Sequence, residues 1–189
     1  MNIVVQETVV GIMAAFAKRR SRQILVSLTL GTLAGMYTLA ADASSIASGM
    51  AAMDYFTGAW NCAGSFPSTG KTIASAIRFD PDLGGHAMVK HHDDVPPAVY
   101  HAIEVWLPHE DGHDFREVIV DNFGGLRHFH SDGWQSNTLI WQSAADVAPI
   151  QRFVYVRTDD NTFRLDWEVS KDGKDYKVGD TLTCKRRAT

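Results

Sequence analysis

The sequence predicts an all-β domain: a closed, up-and-down antiparallel barrel of about ten strands, preceded by an N-terminal signal peptide. Three observations carry this reading. Beyond residue 53, short apolar or alternating runs are separated by turn residues every ten positions or so, the spacing of a sandwich or barrel. Two runs alternate with period two: Phe163, Leu165, Trp167 and Val169 against Thr162, Arg164, Asp166, Glu168 and Ser170, and more weakly Ile73, Ser75, Ile77 and Phe79. Such runs make a sheet with one dry and one wet face, and a long meander of that kind leaves exposed edges unless it closes on itself. Finally, Cys62 lies in the first predicted strand and Cys184 in the last. A disulfide between them places those strands side by side, which is the condition for closure. Because the loop it would close is long, the chain-entropy argument gives about 5 kcal/mol. Two separate buried thiols are the alternative.

The elements follow in order. Lys18, Arg19, Arg20 and Arg22 precede an uncharged stretch, 24–40, and then Ala41, Asp42 and Ala43. Basic, then apolar, then small is the order of a secretory signal, so residues 1–43 read as a signal peptide cleaved near Ala43. A transmembrane anchor is the competing reading, but Ser27, Thr29, Gly31, Thr32 and Gly35 dilute the stretch and no stop-transfer charges follow. Residues 44–53 form a linker of small residues, and 54–189 form the barrel. Strands are expected near 56–66, 71–80, 86–93, 100–107, 115–122, 126–131, 137–143, 151–158, 162–170 and 176–186. Turn residues sit at 67–70, 82–85, 111–112, 124–125, 132–133, 159–161 and 172–173.

Composition narrows the function. With 189 residues, 45% hydrophobic and 21% charged, the chain is neither disordered nor fibrous. Two cysteines are too few for a disulfide-dense miniprotein or a four-cysteine zinc site. The net charge is -4, and setting aside the first 43 residues leaves 14 basic and 20 acidic ones, so the domain itself is near -6. A nucleic-acid partner is therefore not expected. Nor is a stable membrane anchor expected once the signal is cleaved, which makes the protein periplasmic or extracellular.

The set Gly58-Ala-Trp-Asn-Cys-Ala-Gly64, Asp121-Asn-Phe-Gly-Gly125, Asp132-Gly-Trp134 and Thr183-Cys-Lys-Arg186 resembles the exported bacterial proteins of the DUF1579-type, lipocalin-like (calycin) class. Gly58-Ala-Trp60 is similar to the Gly-x-Trp signature of such barrels. The resemblance implies a basic side chain, from Lys185 or Arg186, laid across Trp60. It implies a fold and an export route, and no activity.

Several residues are candidates for chemistry. His128 and His130 share one face of one strand, the arrangement for a metal pair, with Asp121 or Glu117 on the preceding strand as candidate carboxylates. Solvent exposure of the pair is the plainer reading. Haem bound through one histidine, as in nitrobindins, would draw on His101, His128 or His130. His91, His92, Asp93, Asp94, His109 and His113 fall at strand ends and turns, where rim residues are expected to be solvated. Glu104 shares a face with Tyr100, Ala102 and Trp106. An inward carboxylate there could orient a ligand or transfer a proton, but the opposite face, His101, Ile103, Val105 and Leu107, is more apolar, so the phase points Glu104 toward water. Trp60, Trp106 and Trp167, with Trp134 and Trp141, fill a core or line a cavity. Residues 64–72 imitate a phosphate-binding loop, but with five residues between the glycines and a strand behind it, which excludes that site.

The expectation is a barrel that binds a small apolar or amphipathic molecule without a cofactor, with Trp60, Glu104, Trp106, His128, His130 and Trp167 as candidate contacts. The alternatives are an isomerase, cyclase or hydratase that uses the cavity, and a haem- or metal-binding barrel.

Overall fold

A computed structural model describes residues 49–110 and 114–188. The expected signal peptide, 1–43, the first half of the linker, the turn at 111–112 and His113 lie outside the described residues.

Eleven strands form one antiparallel sheet: β1 (Gly58–Ser65), β2 (Thr72–Asp82), β3 (Ala87–Asp94), β4 (His101–Pro108), β5 (Phe115–Asp121), β6 (Leu126–Ser131), β7 (Trp134–Gln135), β8 (Thr138–Ser143), β9 (Ile150–Asp159), β10 (Thr162–Ser170) and β11 (Tyr176–Arg186). Each strand pairs with its neighbour along the chain, except that β6 pairs with β8 and β7 hangs from β8 as a two-residue extension. β1 pairs with β11, so ten strands close the wall. This is the expected architecture, and the strand ends fall within a residue or two of those expected because the Gly, Asp and Asn turns mark them.

The disulfide joins Cys62 to Cys184, which are directly opposite in the β1–β11 register. That seam runs unbroken from Trp60 opposite Arg186 to Ser65 opposite Thr181. The seam that finishes the ring is thinner: β6 meets β8 at Phe129 opposite Ser143 and His130 opposite Gln142. Closure therefore has a strong side, covalently tied, and a weak side at mid-chain.

Alternation on β10 holds for Phe163 and Leu165, both buried in the core, and for exposed Arg164. It departs from expectation at Asp166 and Ser170, which are buried, and at Val169, which is half-buried. Asp166 accepts from the Thr181 hydroxyl (2.5 Å) and from Arg164 Nε (2.9 Å), so a burial that would otherwise be unfavourable is satisfied. Past it, the pairing with β11 shifts between Trp167 and Glu168, with Gly179 as the extra residue. A Cβ on Gly179 would lie 2.4 Å from the Trp167 ring, so the bulge and the missing side chain make room for the indole.

One end of the barrel is filled by rings. The second half of the expected linker contributes Met50 and Met53 to the core, and a 3-10 turn, Asp54–Phe56, inserts Phe56. Phe56 stacks on Trp134 (5.4 Å between centroids) and meets Phe79, Trp106, Tyr155 and Phe163 at 5.1 to 5.5 Å. The indole of Trp60 donates to the Phe56 carbonyl (2.7 Å) and that of Trp134 to Ala52 (2.8 Å). Arg186 lies over Trp60 at 4.1 Å and donates to the carbonyl of Tyr55 (2.6 Å), pinning the plug to β11. A basic side chain thus covers the first tryptophan, as the resemblance implies.

Candidate functional site

The opposite end holds a cavity of about 310 Å³. Its apolar wall is Phe66, Ile73, Phe153, Leu165, Trp167 and Leu182, and its polar lining is Lys90, His92, Asp94, Tyr100, Glu104, Asp121, Arg127 and Asp180. The period of two explains the mixture: on β3, Met88, Lys90, His92 and Asp94 share one face, and burial rises on that face at Met88, Lys90 and Asp94.

The floor is an ionic cluster. Lys90 stands opposite Glu104 in the β3–β4 register, and its ammonium donates to both Glu104 oxygens (2.8 Å each) and to the Tyr155 hydroxyl (2.9 Å). Glu104 is 2% exposed, whereas Ile103 beside it is 47% exposed. The outward orientation expected for Glu104 is thus wrong. Its in-register cation outweighs the apolar character of the other face, since a buried charge is tolerated when paired and hydrogen-bonded.

Glu117 lies behind the floor and accepts from the Trp106 indole (2.7 Å). Burial, and then the neighbouring Glu104 charge, push its carboxyl well above the usual carboxylate range. Its second oxygen is buried with no other partner, which a proton on that oxygen satisfies by donating to Glu104. Burial also raises Glu104, but Lys90 and the bond from Glu117 outweigh it and hold Glu104 ionised. The floor is then neutral: one ammonium, one carboxylate and one carboxylic acid. Burial raises the Tyr155 phenol far above its ordinary value, so it stays protonated.

The upper wall carries two further sets. Arg127 donates to Asp121 (2.7 Å), to the Tyr100 hydroxyl (3.0 Å) and to Gln151 (3.3 Å), and Gln151 also accepts from the Trp167 indole (3.0 Å). Asp121 is held by the hairpin that follows it, accepting from the amides of Phe123 (3.0 Å) and Gly125 (2.9 Å). A Cβ on Gly125 would fall 2.3 Å from the Asp121 carboxylate, which accounts for glycine there. Across the cavity, Asp94 accepts from Ser75 (2.6 Å) and lies 3.2 Å from His92 Nε2. Burial raises Asp94, but those two bonds outweigh it and leave its carboxyl below the usual range. Asp180, opposite Trp167 in the β10–β11 register, is different: burial, and then the charge of Asp94, push it up to about 7.

The sequence candidates distribute unevenly over this geometry. Glu104 and Trp167 line the cavity. Trp106 lies just beneath the floor, and Trp60 belongs to the ring cluster of the far end. His128 and His130 point outward, opposite Val118 and Arg116 of β5, while Glu117 and Asp121 point inward, so the four do not converge. Among the described residues no group of three or more His, Cys, Asp or Glu is placed to hold a metal ion. His101 is also on the outer face, paired with Asp93 at 2.8 Å, so none of the three histidines considered for haem reaches the cavity and these residues do not fit that group.

His92 and Asp94 correct the expectation of a solvated rim: they are inward and tied to β2. Asp180, Arg127 and Lys90 are cavity residues that strand-by-strand reading does not single out. Lys90 becomes legible once β3 and β4 are aligned, as a base directly opposite an acid. Asp180 does not, since the bulge at Gly179 sets its phase. No protein-family model and no curated protein matches the chain. Among the described residues no helix is long and apolar enough to cross a membrane.

Proposed function

We propose that the barrel binds a small amphipathic molecule in the cavity at its open end. The observation that carries this is the contrast within one barrel: rings fill one end completely, while about 310 Å³ remains at the other, within the range of small-molecule sites. Trp167, Phe153 and Leu165 supply apolar contact, and the fixed carboxyl, phenol and guanidinium groups orient the bound molecule. The disulfide and the basic-apolar-small N-terminus are compatible with a protein that does this after export. Titration of the disulfide-bonded protein with a panel of hydrophobic fluorophores tests the reading. Saturable binding that a cavity-filling Leu165→Trp abolishes is the expected result, and absence of saturable binding across the panel overturns it.

One observation favours a second reading, proton-transfer catalysis on a bound substrate by isomerisation, cyclisation or hydration. Asp180 opens into the cavity with its carboxyl near 7, poised to give or take a proton at neutral pH. Deuterium exchange at the acidic C–H of a bound ketone probe, followed by NMR, is expected to fall sharply in Asp180→Asn. Exchange no faster than in buffer would remove this reading and leave the binding one intact.

A further inference from the structure

Each charged side chain of the cavity is already paired with another protein group, with one exception. Lys90 is 1% exposed and saturated by Glu104 and Tyr155. Arg127 is held by Asp121, Tyr100 and Gln151; its Nε has no hydrogen-bond partner among the described residues, but it is buried within the wall and out of a ligand's reach. Asp94 has Ser75 and His92. Asp180 lines the cavity and has no hydrogen-bond or ion-pair partner among the described residues.

Charge points the same way. Each cation on the wall has its own carboxylate, so a ligand carboxylate or phosphate would find no unengaged cation and would face Asp94 and Asp180. A protonated amine meets the opposite situation: an unmatched carboxyl, a second acid nearby, and aromatic faces at Trp167 and Phe153 suited to a cation and its apolar body. We propose that the barrel selects a compact amphipathic cation, a protonated amine on an aromatic or aliphatic body, with its nitrogen at Asp180 and its body against Trp167, Phe153 and Leu165. This rests on the reading that the cavity binds an amphipathic molecule, and adds the charge of that molecule.

The test compares probes of one body and different charge: 2-phenylethylamine, 2-phenylethanol and phenylacetate, titrated calorimetrically into the disulfide-bonded protein. The amine is expected to bind at least about tenfold more tightly than the alcohol, with the carboxylate weakest. In Asp180→Asn the amine should lose that about tenfold advantage while the alcohol keeps its affinity, which also shows that the variant is folded. Binding of the amine to the wild-type protein should release protons, read from titrations in buffers of different ionisation enthalpy. The charged groups that act on Asp180 are Asp94 and Lys90 from β3 and, from the other face of β10, Asp166; burial first, and then the two acids against Lys90, keep it partly protonated beforehand. Equal affinity for amine and alcohol, or an amine preference that survives Asp180→Asn, overturns the assignment of a cation while the binding reading stands. Failure of every probe, together with failure of the hydrophobic fluorophores, takes down both.

Discussion

At one end of the barrel Phe56 enters from outside the sheet and meets Phe79, Trp106, Trp134, Tyr155 and Phe163, while at the other end Lys90, Glu104, Asp94 and Arg127 face a cavity and no described residue enters to fill it. The wall is the same in both places: ten antiparallel strands with inward residues at alternate positions. The occupants differ in what holds them. Rings close up on one another until no space is left, because every contact between them is favourable. Ion pairs and side-chain bonds instead tie neighbouring strands together along the wall, and once satisfied they gain nothing by collapsing inward. Polar pairing therefore preserves volume where apolar packing removes it.

The largest effect is expected in the ring-filled end. Phe56→Ala removes the plug and should lower stability by about 3–5 kcal/mol in denaturant titration, with fluorophore binding at the far end retained under native conditions. A loss below about 1 kcal/mol would mean that the plug is ornamental.

A paired test follows at the floor. Glu104→Gln leaves the Lys90 ammonium buried without its counter-charge and should be destabilising by about 3–5 kcal/mol. Glu117→Gln replaces an acid that is already protonated, and should change stability by less than about 1 kcal/mol near pH 7. Equal losses would place the shared proton elsewhere.

The smallest expected effect concerns the cavity wall, and its sign follows from linkage. The Asp180 carboxyl is raised in the folded protein relative to the unfolded chain, so the unfolded state releases its proton first and folding stability falls as pH rises from about 4 through about 7. Relative to Asp180→Asn, the wild-type protein should lose on the order of 2–3 kcal/mol between pH 5 and pH 8, taking about 1.4 kcal/mol per pKa unit. Parallel urea melts at the two pH values measure this difference. A wild-type protein that gains stability relative to the variant over that range would show that Asp180 has an unrecognised cationic partner.

Much of the wall is legible in the amino-acid sequence alone. Turn residues such as Gly124 and Gly125 or Asp172 and Gly173 punctuate the chain, and backbone sterics act locally, so strand ends emerge from short stretches of sequence. The cysteine pair is legible too, since one cysteine falls in the first strand and the other in the last, where a bridge would close the sheet. The interior is harder. Glu104 reads as outward when its strand is weighed in isolation, because His101, Ile103, Val105 and Leu107 look like the dry side. Two strands in register reverse that choice: the acid is inward because Lys90 is opposite it. Met50 and Met53 read as linker because their burial depends on a space left by distant strands.

Local conformation thus made the alternation of strands and turns readable from the chain alone, and the placing of Cys62 and Cys184 in the first and last strands made a clasp between them, and with it a closed barrel, the expectation that the structure bears out. Which face of each strand is interior, where the bulge at Gly179 turns Asp180 and Trp167, and that one end is filled while the other is open all emerge when the strands assemble. Those outcomes depend on which charges and rings from remote strands come within a few ångströms of one another, and no single stretch of chain contains that information.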